Sequence, residues 1–181
     1  MMRPNTTVLL ARISTLALWI VSAFSLSAFS QCKAPPGLQT ELTEKYPQWS
    51  IVTPDKLSRD DRETWQSLHP KECPGLLQGK FIDDRDSFAV ALVQGRAGRI
   101  REQVILFEPQ ESGWTTVVLA PAKELTVVGV LVKLPPGHYT SFDGRKTVKI
   151  STDSVDVAQL GAHASILYWE GGQFKSLLWS Y

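Results

Sequence analysis

The sequence is short of the residues and patterns that announce known chemistry. It contains no G-x-S-x-G, no H-E-x-x-H, no P-loop and no G-x-G-x-x-G, so the signatures of serine hydrolases, zinc peptidases and nucleotide enzymes are missing. Histidine is scarce, with only His69, His138 and His163. Each has a local explanation: His69 at a helix end beside Pro70, His138 in a turn after Pro135-Pro136-Gly137, and His163 in a small-residue turn before a strand. Neither charge sign dominates, since 19 Lys and Arg face 18 Asp and Glu. Binding to nucleic acid through phosphate needs a basic surplus, so that class is excluded.

Long apolar runs are absent except near the start. Arg3 and Arg12 are the only charges before Lys33, and Ile13 to Phe29 is an uncharged stretch diluted by serines. This is the n-region and h-region of a secretory signal peptide over residues 1–30. Ala28-Phe29-Ser30 puts small residues where a signal peptidase reads, predicting cleavage between Ser30 and Gln31. An uncleaved anchor is the second choice. Acylation at Cys32 is a minor alternative, because Gln31 is not the small residue a lipobox has before its cysteine. Cleavage removes Arg3 and Arg12, leaving 17 basic against 18 acidic side chains, and no membrane span. The expected address is periplasmic or secreted.

Only two cysteines exist, Cys32 and Cys73. In an oxidising compartment they are most simply one disulfide. His69-x-x-x-Cys73 offers two ligands where a structural zinc site needs four.

The mature chain has the length of one ordinary domain. Residues 31–37 read as a linker and 38–181 as a single β-rich domain. Leu38 to Tyr46 reads as helical. Ser58 through Leu68 carries a cap, acidic first-turn residues and an apolar stripe of Trp65 and Leu68, stopped by Pro70. From Leu76 on, short apolar runs alternate with Gly, Pro, Asp and Ser. Strands are predicted at 76–81, 88–94, 103–108, 114–119, 125–133, 147–150, 155–159, 165–170 and 173–179. Asp143-Gly144 and Gly171-Gly172 are hairpin signals. The expected fold class is α+β and β-rich: a mostly antiparallel sheet, sandwich-like or partly closed, with one or two short N-terminal helices packed on one side. No fixed-period repeat runs across the mature chain, which argues against a complete propeller.

The stretch Cys73 to Leu92, read as strand, acidic loop and strand, resembles a degenerate FG-GAP or VCBS-type segment. Together with Tyr46-Pro47-x-Trp49 and the ending Ala164 to Phe174, it is similar to small exported bacterial proteins without an assigned function. The resemblance implies a calcium loop with Asp83, Asp84 and Asp86 as oxygen donors. Lys80 and Ile82 stand where two carboxylates of the intact motif would be, and calcium takes six to eight oxygens. A solvated acidic turn with Arg85 as counter-charge is the competing reading.

Arg96, Arg99 and Arg101, with Gly95 and Gly98, form a basic cluster that reads either as an anion-binding loop or as a solvated hairpin loop blunted by Glu102. Tyr168, Trp169, Phe174, Trp179 and Tyr181 crowd the C-terminal hairpin, where alternation sends Tyr168 and Trp169 to opposite faces. One face must be core. The other is a ligand or partner surface carried by Tyr168, Trp169 and Trp179, or is covered by the N-terminal helix through Trp49 and Trp65. The leading expectation is a non-enzymatic exported domain that binds a protein or envelope component. A calcium-stabilised module is second, and an envelope hydrolase using Ser165 and His163 third.

Overall fold

A computed structural model describes residues 32–96 and 99–179. The expected signal peptide, its cleavage site, Gly98 and Tyr181 lie outside these residues, as does the side chain of Arg96. The described residues belong to one compact unit, Gln31–Tyr181.

Helix α1 (Pro36–Lys45) starts on a proline whose fixed φ suits the first turn, and it buries Leu38 and Leu42. It begins inside the segment read as a linker, where Ala34 is also buried. Strand β1 is only Ser50–Ile51, followed by a 3-10 turn at Pro54–Lys56. Helix α2 (Arg59–Leu68) is capped by Ser58, whose Oγ accepts the Asp61 N–H at 3.2 Å. Trp65 is its buried residue. Leu68, expected in the same stripe, is 64% exposed. It lies in the last turn, where α2 has left the core.

Strands β2 (Leu76–Gly79), β3 (Ser87–Arg96), β4 (Arg99–Gln110) and β5 (Gly113–Leu125) form an antiparallel meander. Strand β1 pairs beyond β2 on the same edge of β3. A second sheet contains β6 (Val130–Leu134), β9 (Ser154–Ala158), β10 (Ala164–Glu170) and β11 (Gln173–Trp179), ordered β11-β10-β9-β6. Strands β7 (Gly137–Thr140) and β8 (Thr147–Ile150) form a separate hairpin between β6 and β9. The expected mostly antiparallel, β-rich architecture with two N-terminal helices is thus present, and among the described residues no sheet closes into a barrel.

The main core joins the sheets. Leu77, Ala89, Ala91, Val104 and Leu106 of the first meet Leu131, Val155 and Leu167 of the second, with Trp65 and Val52 completing it. Opposite, the first sheet presents Val90, Leu92, Ile105 and Phe107 to Leu38 and Leu42 of α1. The second sheet presents Ile166, Tyr168 and Leu177 to Val148 and Ile150 of the β7–β8 hairpin. The order of packing is therefore helix, sheet, sheet, hairpin. Cys32 and Cys73 form a disulfide with Cα atoms 4.9 Å apart, tying the arm before α1 to the entry of β2.

Candidate functional site: a cleft beside the first helix

A cleft of about 380 Å³ opens between the C-terminal half of α1, the Tyr46–Ile51 segment and the 3-10 turn. Its local geometry follows from the sequence. Pro47 cannot extend the helix, and the Trp49 N–H donates to the Tyr46 carbonyl at 2.9 Å, which turns the chain sharply into β1. The Val52 N–H then donates to the Ala91 carbonyl, holding the segment against β3.

The apolar lining is Leu42, Tyr46, Pro47, Trp49, Ile51 and Leu92. Tyr46 meets Phe107 edge to face at 6.1 Å between ring centres, so its ring is braced by the core. Trp49 is half-buried, with the Arg101 guanidinium 5.9 Å from its ring centre. Gln39, Thr43, Ser50 and Thr53 add neutral hydrogen-bonding groups, and Lys56 is the one charged side chain of the lining. The arrangement offers braced aromatic surface, amide and hydroxyl groups, and a single ammonium.

The residues singled out from the sequence are spread around the molecule. Tyr168 is buried to 1% exposure beneath the β7–β8 hairpin. The cover over this face is that hairpin and not the N-terminal helix. Trp49 packs on the other outer face, and Trp65 sits in the main core, stacked on His69 with ring centres 4.3 Å apart. Trp169 and Trp179 are half-buried. Trp169 lies against Phe174 at 5.1 Å, and Trp179 donates from Nε1 to the Asp156 carboxylate at 3.3 Å.

Asp83 accepts from the Arg85 backbone N–H at 2.8 Å and from its guanidinium, which holds its carboxyl below the ordinary range. Arg85 also reaches Glu108 at 3.6 Å. Asp84 and Asp86 are exposed. Among the described residues no group of three or more His, Cys, Asp and Glu is arranged to hold a metal ion. Arg99 pairs with Glu124 at 3.3 Å and Arg101 lies over Trp49, so these arginines do not converge on one anion site. His138 and His163 are exposed; His163 has Phe142 as its ring neighbour at 6.0 Å. His69 bonds Glu72 at 3.2 Å.

One further group stands out electrostatically. Glu102, 3% exposed, accepts the Gly129 N–H at 2.6 Å, and its burial raises its pKa above the ordinary carboxylate value. Gly129 directly precedes β6, so this carboxylate is a polar link between the sheets.

Compared with protein-family models, curated proteins and solved structures, the chain matches none. Along the sequence, Tyr46-Pro47-x-Trp49 is distinctive only as part of a resemblance. The available signal was an aromatic pair astride a helix-ending proline, directly before a very short strand.

Proposed function

We propose that the protein is an exported binding domain that takes an extended polypeptide segment of an envelope partner in the α1–β1 cleft. The observation that carries this reading is the cleft lining itself, in which two aromatic rings and aliphatic side chains alternate with neutral amide and hydroxyl groups. That mixture suits a peptide, whose backbone needs hydrogen bonds while its side chains need apolar contact. Lys56 favours an acidic residue in the ligand. The signal-like leader and the Cys32–Cys73 disulfide support export. No helix among the described residues is long and apolar enough to cross a membrane.

Peptides selected from a random library against the whole domain test this reading. Central aromatic contacts commonly contribute about 2 kcal/mol or more to such binding, so Trp49→Ala is expected to weaken the selected peptides at least tenfold, with the fold verified by circular dichroism. Trp179→Ala, away from the cleft, is expected to leave their affinity unchanged. Equal binding by wild type and Trp49→Ala would overturn the assignment. Export is checked separately, by a mature mass that starts at Gln31 and lacks the two thiol hydrogens.

A further inference from the structure

The two sheets share one plan. In the first, β2-β3-β4-β5 is a meander; in the second, β6-β9-β10-β11 is the same meander with β7–β8 inserted between its first two strands. The registers match over the central pairs, up to the bulge at Val104 in β4–β5 that the second sheet lacks. Gly79 pairs with Ser87 as Leu134 pairs with Ser154; Ala89 pairs with Leu106 as Asp156 pairs with Ile166; Leu106 pairs with Val117 as Ile166 pairs with Leu177. Asp86-Ser87 opens β3, and Asp153-Ser154 opens β9. Two-residue turns, Glu111-Ser112 and Gly171-Gly172, join the last two strands of each.

The sheets also stack in the same sense. Leu106 of the first faces the second sheet, whereas its counterpart Ile166 faces the hairpin. Phe107 of the first faces α1, whereas its counterpart Leu167 faces the first sheet. A face-to-face pair related by a two-fold axis would bury these matching residues against each other, which is not what is seen; only at one end of the matched region do counterparts, Ala91 with Ala158 and Val104 with Ala164, share the core. The hairpin therefore occupies the position, relative to the second sheet, that the second sheet occupies relative to the first.

We propose that the chain is a tandem pair of one four-stranded module, and that the β7–β8 hairpin is a built-in cap on a surface shaped to receive another such sheet. Stacked modules bury their faces only against neighbours, so a terminal face needs a cover of its own. The cover is an insertion, and the insertion has left a mark. Ser87 Oγ donates to the Gly79 carbonyl at 3.2 Å, while Ser154 Oγ, at the matching place beside the inserted segment, has no hydrogen-bond partner among the described residues. Among the described residues the hairpin pairs only with itself as a sheet, and it is held by Val148 and Ile150, by Tyr139 against Trp179, and by the Phe142 N–H on the Leu178 carbonyl. A neighbour stacked in the same sense would have to offer the face that α1 covers, so with the cap removed the apolar surface left to bury it is the same face of a second copy of the chain, in an isologous dimer.

The test replaces Pro135–Thr152 with the sequence of Lys80–Arg85, the connection at the matching place in the first module. The expected result is a folded protein whose mass by light scattering rises from monomer to dimer with concentration, and which returns to monomer when Leu177→Lys is added. A folded variant that stays monomeric at every concentration would overturn the proposal. Hydrogen exchange on the intact chain gives a second reading that does not depend on the variant folding. Amides of β7 and β8 are expected to exchange at least tenfold faster than those of β9 and β10. Equal protection across all four strands would show the hairpin to be an integral part of the sheet, and would overturn the cap.

Discussion

Gly75 illustrates how one side chain's absence positions the N-terminal segment. A Cβ there would lie 2.5 Å from the Val52 carbonyl oxygen and 2.7 Å from its nitrogen, so the β2 entry and the end of the β1 segment touch backbone to backbone. No side-chain rotation relieves that clash, and Gly75→Ala is expected to destabilise the protein by about 3 kcal/mol, read as a lower denaturant midpoint. Glu102 gives a pH-dependent counterpart. Its folded-state pKa is raised by burial, so the folded protein holds this proton more tightly than the unfolded chain. The associated stability is complete below the ordinary Glu range and is lost as pH rises through the raised folded-state value. Glu102→Gln can still accept the Gly129 N–H and does not ionise. It is expected to flatten the fall in stability above the ordinary Glu range and to be more stable than the wild type at neutral pH. Denaturant titrations across that range measure both effects, and parallel curves for the two proteins would refute the assignment.

Among the elements, those with local signals follow the sequence closely. Ser58 caps α2 and Asp60 and Asp61 occupy its first turn, because capping and dipole effects act within a few residues. Strand β11 coincides with the predicted 173–179 segment, since two glycines at φ +62° and +84° set the preceding turn. Strand β5 runs past Pro121 to Leu125, beyond the predicted 114–119 segment. It is an edge strand, bonded only to β4, and an edge tolerates a residue with no N–H to donate. Strand β7 carries no such signal in Gly137-His138-Tyr139-Thr140 and forms because β8 pairs with it. The Cys32–Cys73 bond is the N-terminal arm's covalent tie. Closing a loop with sequence separation 41 stabilises by about 3 to 4 kcal/mol in chain-entropy models. Cys73→Ala is expected to lower stability by that order, with thermal melting as the readout and reduction of the wild type as its match.

For the molecule as a whole, the relation between layers decides which surfaces are open. Both outer sheet faces are covered, one by α1 and the other by β7–β8, so the aromatic face around Tyr168 that alternation identifies is core. The aromatic rings that line a cleft lie instead beside α1, at Tyr46 and Trp49. Neither fact is readable along the chain, because Trp49 and Leu92 of the cleft, and Val148 of the cap and Ile166 beneath it, are brought together only by sheet pairing and stacking. The match between the two meanders is hidden for a related reason. The β7–β8 insertion and the longer β3–β4–β5 strands break any fixed period, so the repeat survives in register and facing, not in spacing.

By itself, the amino-acid sequence determined the antiparallel β-rich class, the two helices with the Ser58 cap and the proline stops, the tight Gly171-Gly172 turn and the pairing of its only two cysteines. These depend on contacts within a few residues, on period-two alternation, or on there being no other thiol to choose. Only the tertiary structure decided which face of each sheet is covered and by what, where a cleft remains, and that Glu102 is buried against Gly129. Such outcomes are set by contacts between distant segments, where burial favours any apolar partner of suitable shape and the chain's own path selects which one arrives.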